Sequence, residues 1–64
     1  MLQQYSLKEL RARKNLTQAE TAKNIGVSTQ TYNSWEKDIS KVAIGKVKVL
    51  ANFFGVTVGE IFLK

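Results

Sequence analysis

Sixty-four residues amount to one small domain, near the lower size at which an apolar core alone offsets chain entropy, which argues against a deep enzyme cleft. Neither cysteine nor histidine occurs, so disulfide staples, thiol nucleophiles and the usual soft zinc sites are absent. Ten Lys and Arg against five Asp and Glu leave a net charge of +5, which favours anionic partners, nucleic acid ahead of anionic membrane.

No apolar run approaches the roughly 20 residues that cross a bilayer, and the opening MLQQYSLKEL lacks the basic-then-apolar order of a signal peptide. A cytoplasmic protein is expected. Residues 1–5 carry no period and read as a flexible lead-in. Ser6 with Glu9 forms a capping box that opens a helix, in which Leu7, Leu10, Arg11 and Lys14 share a face and Asn15 supplies a left-handed stop. Arg11, on that inner face, needs a partner if it is buried.

Thr17 with Glu20 makes a second box. Ala19, Ala22 and Ile25 follow at spacings of three, on one predicted inner face, and Gly26 ends the helix, with Val27 expected to be buried at the turn. Ser28 is a good N-cap for a further helix, at about 28–36, whose Tyr32 and Trp35 point inward. Its outer side carries Thr29, Gln30, Asn33 and Ser34, short uncharged hydrogen-bonding groups suited to reading base edges.

From Lys37 to Ile44 runs the longest expected loop, with turn-compatible Asp38 and Ser40. Ile44, Val47, Leu50, Ala51 and Phe54 then recur at helical spacing, although Gly45 and the valines are poor helix formers and 44–50 alone also fits a strand. Gly55 is a stop, and Thr57 with Glu60 forms a third box, predicting a last short helix whose Val58, Ile61 and Phe62 close the core. One domain of five helices, residues 1–64, is the simplest reading.

The stretch from Leu16 to Glu36, LTQAETAKNIGVSTQTYNSWE, resembles the helix-turn-helix of the phage Cro/repressor family, also called the xenobiotic-response-element family. The resemblance runs without a gap from about Leu7 to Phe62. It rests on LTQ at the first motif helix, Ala22 where the helices touch, the IGVS turn, WE after the second helix, and LA, FGVT and EIF in the tail. It implies an all-α, compact five-helix bundle of the lambda-repressor type whose second and third helices bind DNA. The chain departs from the family pattern at Thr21, usually leucine; at Lys37 and Asp38, usually small; and at Val42 and Ala43, usually proline and a capping residue.

By this resemblance Thr29, Gln30 and Ser34 match positions that contact bases, with Asn33 beside them, and Gln18 matches a glutamine that touches phosphate and buttresses the next helix. Ser28, Lys37, Lys41, Arg13 and Lys14 are the other expected phosphate contacts, while Arg11 and Glu36 match an internal salt bridge. Gln30 is the first candidate for readout, since an amide matches the donor and acceptor of adenine in the major groove. The helix has no arginine for guanine, so A·T-rich positions are expected.

The function so implied is a sequence-specific transcriptional regulator, a repressor, bound as a homodimer to an approximate palindrome and associated with the nucleoid of a bacterial or phage-infected cell. Phe53, Val56, Val58, Phe62 and Leu63 are the candidate dimer surface. A different class remains open: a protein-interaction module of the same fold, antitoxin-like or a regulator antagonist, with weak DNA binding. Enzyme function is not expected, because Glu9, Glu20 and Glu60 serve capping boxes and Glu36 the salt bridge, leaving no catalytic set. No cofactor or metal is expected.

Overall fold

In the computed structural model, which describes residues 4–61, three of the four α-helices begin at a side-chain cap. α1 (Leu7–Arg13) follows Ser6, whose hydroxyl accepts from the Glu9 amide at 3.1 Å while the Glu9 carboxylate accepts from the Ser6 amide at 2.9 Å. The same reciprocal pair, Thr17 with Glu20, opens α2 (Gln18–Ile25). Ser28 caps α3 (Thr29–Lys37) by accepting from the Thr31 amide at 3.0 Å. These bonds satisfy amides that a helix start leaves unpaired, which is why the three starts were legible.

The stops are equally local. Asn15 takes φ 55° after α1, and Gly26 takes φ 87° between α2 and α3, a conformation that disfavours any side chain with a Cβ. α4 (Ile44–Phe54) differs, since Ala43 offers no side-chain cap. Residues 44–50 are nonetheless helical, because only a helix puts Val47, Leu50, Ala51 and Phe54 on one buried face.

The core joins Leu7 and Leu10 of α1, Ala22 and Ile25 of α2, and Tyr32 and Trp35 of α3 to that face of α4. Tyr32 and Trp35 meet edge to face, 6.4 Å between ring centroids. Among the described residues no helix is long and apolar enough to cross a membrane.

Several expectations need correction. Among the described residues there are four α-helices rather than five: the expected last helix is a single 3-10 turn, Val58–Glu60. Thr57 and Glu60 do bond, the Thr57 amide donating to the Glu60 carboxylate at 2.9 Å. However, Ile61 is extended and forms a parallel bridge with Tyr5, whose amide donates to the Glu60 carbonyl at 2.7 Å. That pairing draws the backbone out of helical geometry, and it also pins Tyr5, a residue expected in a flexible lead-in.

Ala19 is exposed, and its expected inward place is taken by Thr21, which is fully buried with its hydroxyl donating to the Thr17 carbonyl at 3.0 Å. Val27 is only half-buried. Ile44 is 76% exposed because it overhangs the first turn of α4, one turn before the buried stripe begins. The loop after α3 contains a 3-10 turn, Ile39–Lys41, and its buried Val42 and half-buried Ile39 anchor it to the core. Phe53, Val56 and Val58, from the candidate dimer surface, are half-buried against the core; Phe62 and Leu63 lie outside the described residues.

Candidate nucleic-acid interface

Four polar side chains lock α1, α2 and α3 together. Arg11 Nε donates to Glu36 Oε2 at 2.6 Å, its Nη2 reaches Oε1 at 3.3 Å, and its Nη1 donates to the Leu16 carbonyl at 2.9 Å. Gln18 Nε2 donates to Glu36 Oε1 at 3.0 Å, and Gln18 Oε1 accepts from Asn33 Nδ2 at 2.7 Å. The Glu36 side chain is only 7% exposed and that of Arg11 18%, so neither charge could be left alone at small cost. Burial works against ionisation of Glu36, but the hydrogen bonds from Arg11 and Gln18 outweigh it and hold its carboxyl below the usual range.

Tyr32 lies beneath this network. Its ring is fully buried and its hydroxyl makes no hydrogen bond, while burial and then the nearby Glu36 carboxylate push the phenol well above its usual pKa. It is a core residue that stays neutral.

The outward side of α3 is uncharged until its last turn. Thr29 and Gln30 are exposed, and Ser34 is half-buried with its hydroxyl donating to the Gln30 carbonyl at 3.2 Å. Asn33 is half-buried through its bond to Gln18, so it stands at the edge of this face rather than at its centre. Lys37 is exposed seven residues after Gln30, which places the two on one stripe two turns apart. Ser28 is exposed, with its hydroxyl occupied by Thr31: it accepts from the amide and donates to Oγ1 at 2.9 Å.

The remaining cations divide. Lys41 is exposed on the 3-10 turn that follows α3, where the exposed Asp38 carboxylate is engaged within the turn, accepting from the Ser40 amide at 3.1 Å and its hydroxyl at 2.6 Å. Bonds from the Ser40 hydroxyl and amide hold Asp38 ionised and committed to the turn. Arg13 and Lys14 sit elsewhere: the Arg13 guanidinium is 4.1 Å from the Tyr5 ring centroid, and Lys14 Nζ is 5.2 Å from that of Phe53. Arg13 thus lies beside Tyr5, which pairs with Ile61, and Lys14 lies beside α4.

The coupling of Gln18 to Asn33, and the Leu16 carbonyl as a third acceptor for Arg11, went unread in the sequence. The signal for the first was two amide side chains bracketing the turn, 15 residues apart. Among the described residues no group of three or more carboxylates could hold a metal ion.

The family model described as helix-turn-helix matches residues 7–61. The chain is 36% identical over 55 residues to the cryptic phage CTXphi transcriptional repressor RstR of Vibrio cholerae, covering 86% of this chain and 50% of the repressor. It is 42% identical over 57 residues to an uncharacterized HTH-type transcriptional regulator of Methanocaldococcus jannaschii, covering 89% of this chain and 86% of that protein. The chain thus spans half the length of the first relative and most of the second. No solved structure gives a significant match. With α2 and α3 joined by the Gly26 turn and the match spanning nearly every described residue, the chain belongs to the Cro/C1-type helix-turn-helix family of DNA-binding transcription regulators.

Proposed function

We propose that the protein is a sequence-specific repressor that lays α3 in the major groove of double-stranded DNA. The observation that carries this reading is the outward side of α3: Thr29 and Gln30 exposed, Asn33 and Ser34 flanking them, on a helix held from behind by Arg11, Gln18 and Glu36. A reader needs side chains in fixed register with base edges, and a helix tied to its neighbours at Asn33 and Glu36 supplies it.

Gln30 is the principal base-contacting residue, joined by Thr29, Asn33 and Ser34. Lys37 and Lys41, with Gln18 and Ser28 at the two helix starts, contact phosphate. Arg13 and Lys14 make the weakest contribution, since each must leave an aromatic ring to reach a phosphate. Binding as a homodimer to an approximate palindrome sets two α3 helices about 34 Å apart, one DNA turn. Repression is supported by the phage relative, which is itself a transcriptional repressor.

The test is selection of bound sequences from random duplex DNA at about 150 mM salt, followed by titration of the winner against scrambled DNA and with Gln30→Ala. The expected result is a two-fold symmetric site bound on the order of a thousandfold more tightly than scrambled DNA and weakened by the substitution. Recovery of no motif would sink the reading and favour a protein-interaction module of the same fold.

A further inference from the structure

We propose that the outer side of α4 is a docking face for a second protein, an acidic amphipathic helix that crosses α4 over Gly45. The inference goes beyond DNA reading and rests on a different part of the chain.

It begins with a glycine that the fold does not need. Gly45 lies in the first turn of α4 and outside the left-handed region, and a Cβ built on it meets nothing within 4 Å. Alanine would strengthen the helix there, so glycine weakens α4 without relieving a contact or a strained backbone inside the chain. What glycine supplies instead is bare backbone on an exposed side, which lets another element approach closely.

The neighbours of Gly45 complete the face. Lys48, Val49 and Asn52 follow it by three, four and seven residues, so the four share one side of the helix, and all are exposed. Val49 is 41% exposed and Ile44 76%; among the described residues these are the large apolar side chains that the fold leaves in water. At helical spacing they stand on either side of Gly45 around the axis, with a shallow notch between them that a ridge of a partner helix fits.

Charge selects the occupant. Lys46 and Lys48 stand in the same turns, and Lys14 adds a third cation through its seat over Phe53, one turn beyond Val49. Between Asp38 and Glu60 the sequence holds no carboxylate. The five carboxylates of the chain are engaged elsewhere: Glu9, Glu20 and Glu60 in capping boxes, Asp38 with Ser40, and Glu36 with Arg11. A second copy of this chain would therefore bring lysines to lysines, and a phosphate backbone would leave Ile44 and Val49 without an apolar partner. A helix with a leucine stripe flanked by glutamates meets both needs.

The experiment titrates the full chain with a synthetic helical peptide of about 14 residues, carrying leucines at three- and four-residue spacing and glutamates beside them, and with its counterpart in which every Glu is Gln. The expected outcome is saturable binding with Kd on the order of 100 μM, with NMR shifts centred on Gly45, Lys48, Val49 and Asn52, and at least about tenfold weaker binding of the Gln counterpart. Gly45→Gln fills the notch with a better helix former, so it should bind the acidic peptide about tenfold more weakly while melting no lower than the unaltered protein. Excess random-sequence duplex DNA should leave the peptide bound.

Absence of saturable binding up to about 1 mM overturns the proposal, as does equal binding to Gly45→Gln or of the Gln counterpart. Shifts centred on Gln30 and Lys37, with displacement by DNA, overturn it by showing a polyanion on the α3 face. Two other results reassign the face and overturn the proposal as well. One is self-association abolished by Gly45→Gln, which gives the face to a second copy. The other is binding to phosphatidylglycerol vesicles, lost in Gly45→Gln, without binding to the peptide.

Discussion

The two halves of this molecule are built by different means. From Thr17 to Asp38 the chain is specified by directional polar chemistry: a reciprocal cap, a left-handed glycine and a serine cap act locally, and an amide-carboxylate network between distant residues ties α3 to its neighbours. From Ala43 onward the helix has no side-chain cap, a glycine in its first turn and β-branched residues within, and is held by burial of Val47, Leu50, Ala51 and Phe54. Polar bonds fix orientation, which a surface that reads another molecule requires; apolar packing contributes stability with little direction of its own.

The largest expected effect breaks the apolar half. Leu50→Ala empties a fully buried site and should cost about 4 kcal/mol, enough to unfold a domain this small near body temperature, as thermal melting would show. If melting is barely changed, α4 is not the mainstay of the core.

Next comes the polar half. Glu36→Gln leaves the Arg11 guanidinium without its counter-charge and should cost about 3 kcal/mol, seen as a fall in melting temperature of roughly 15 °C. The same group sets a pH dependence. Its carboxyl is held below the ordinary 4.5 in the fold, so the stability it adds is fully present above that value and is lost as pH falls through the folded pKa. The capping carboxylates Glu9, Glu20 and Glu60, held low by backbone amides first and hydroxyls second, act in the same direction. Stability should therefore be flat at neutral pH and decline below about pH 4.5, and Glu36→Gln should make that decline shallower in chemical denaturation.

A smaller change would reduce the contrast between the halves. Ala43→Ser places a capping hydroxyl on extended backbone, and Gly45→Ala adds a Cβ that meets nothing within 4 Å. Each should stabilise by about 1 kcal/mol in equilibrium unfolding, without altering base preference. A loss from either would mean that the start of α4 is constrained by more than helix propensity.

The smallest effect tests the join between core and network. Tyr32→Phe removes a buried hydroxyl that has no hydrogen bond and should leave stability unchanged or raise it by up to about 1 kcal/mol. A loss of about 2 kcal/mol or more would show that the phenol supports the Arg11–Glu36 pair.

The sequence by itself determined the starts and stops of α1, α2 and α3 and the inward aim of Tyr32 and Trp35, because caps, left-handed residues and helical spacing act within four residues of one another. Tertiary structure decided the rest. Thr57 with Glu60 carried the same local signal as the other boxes, yet it opens one 3-10 turn, since the bridge between Tyr5 and Ile61 requires extended backbone just beyond it. Thr21 is buried and Ala19 exposed because the face of α2 covered in the fold is that of Thr21, Ala22 and Ile25, which apolarity alone does not select. Which way the amides of Gln18 and Asn33 turn was likewise invisible in their spacing, for an amide takes its orientation from its partners, and those partners lie 15 to 25 residues apart until the fold unites them.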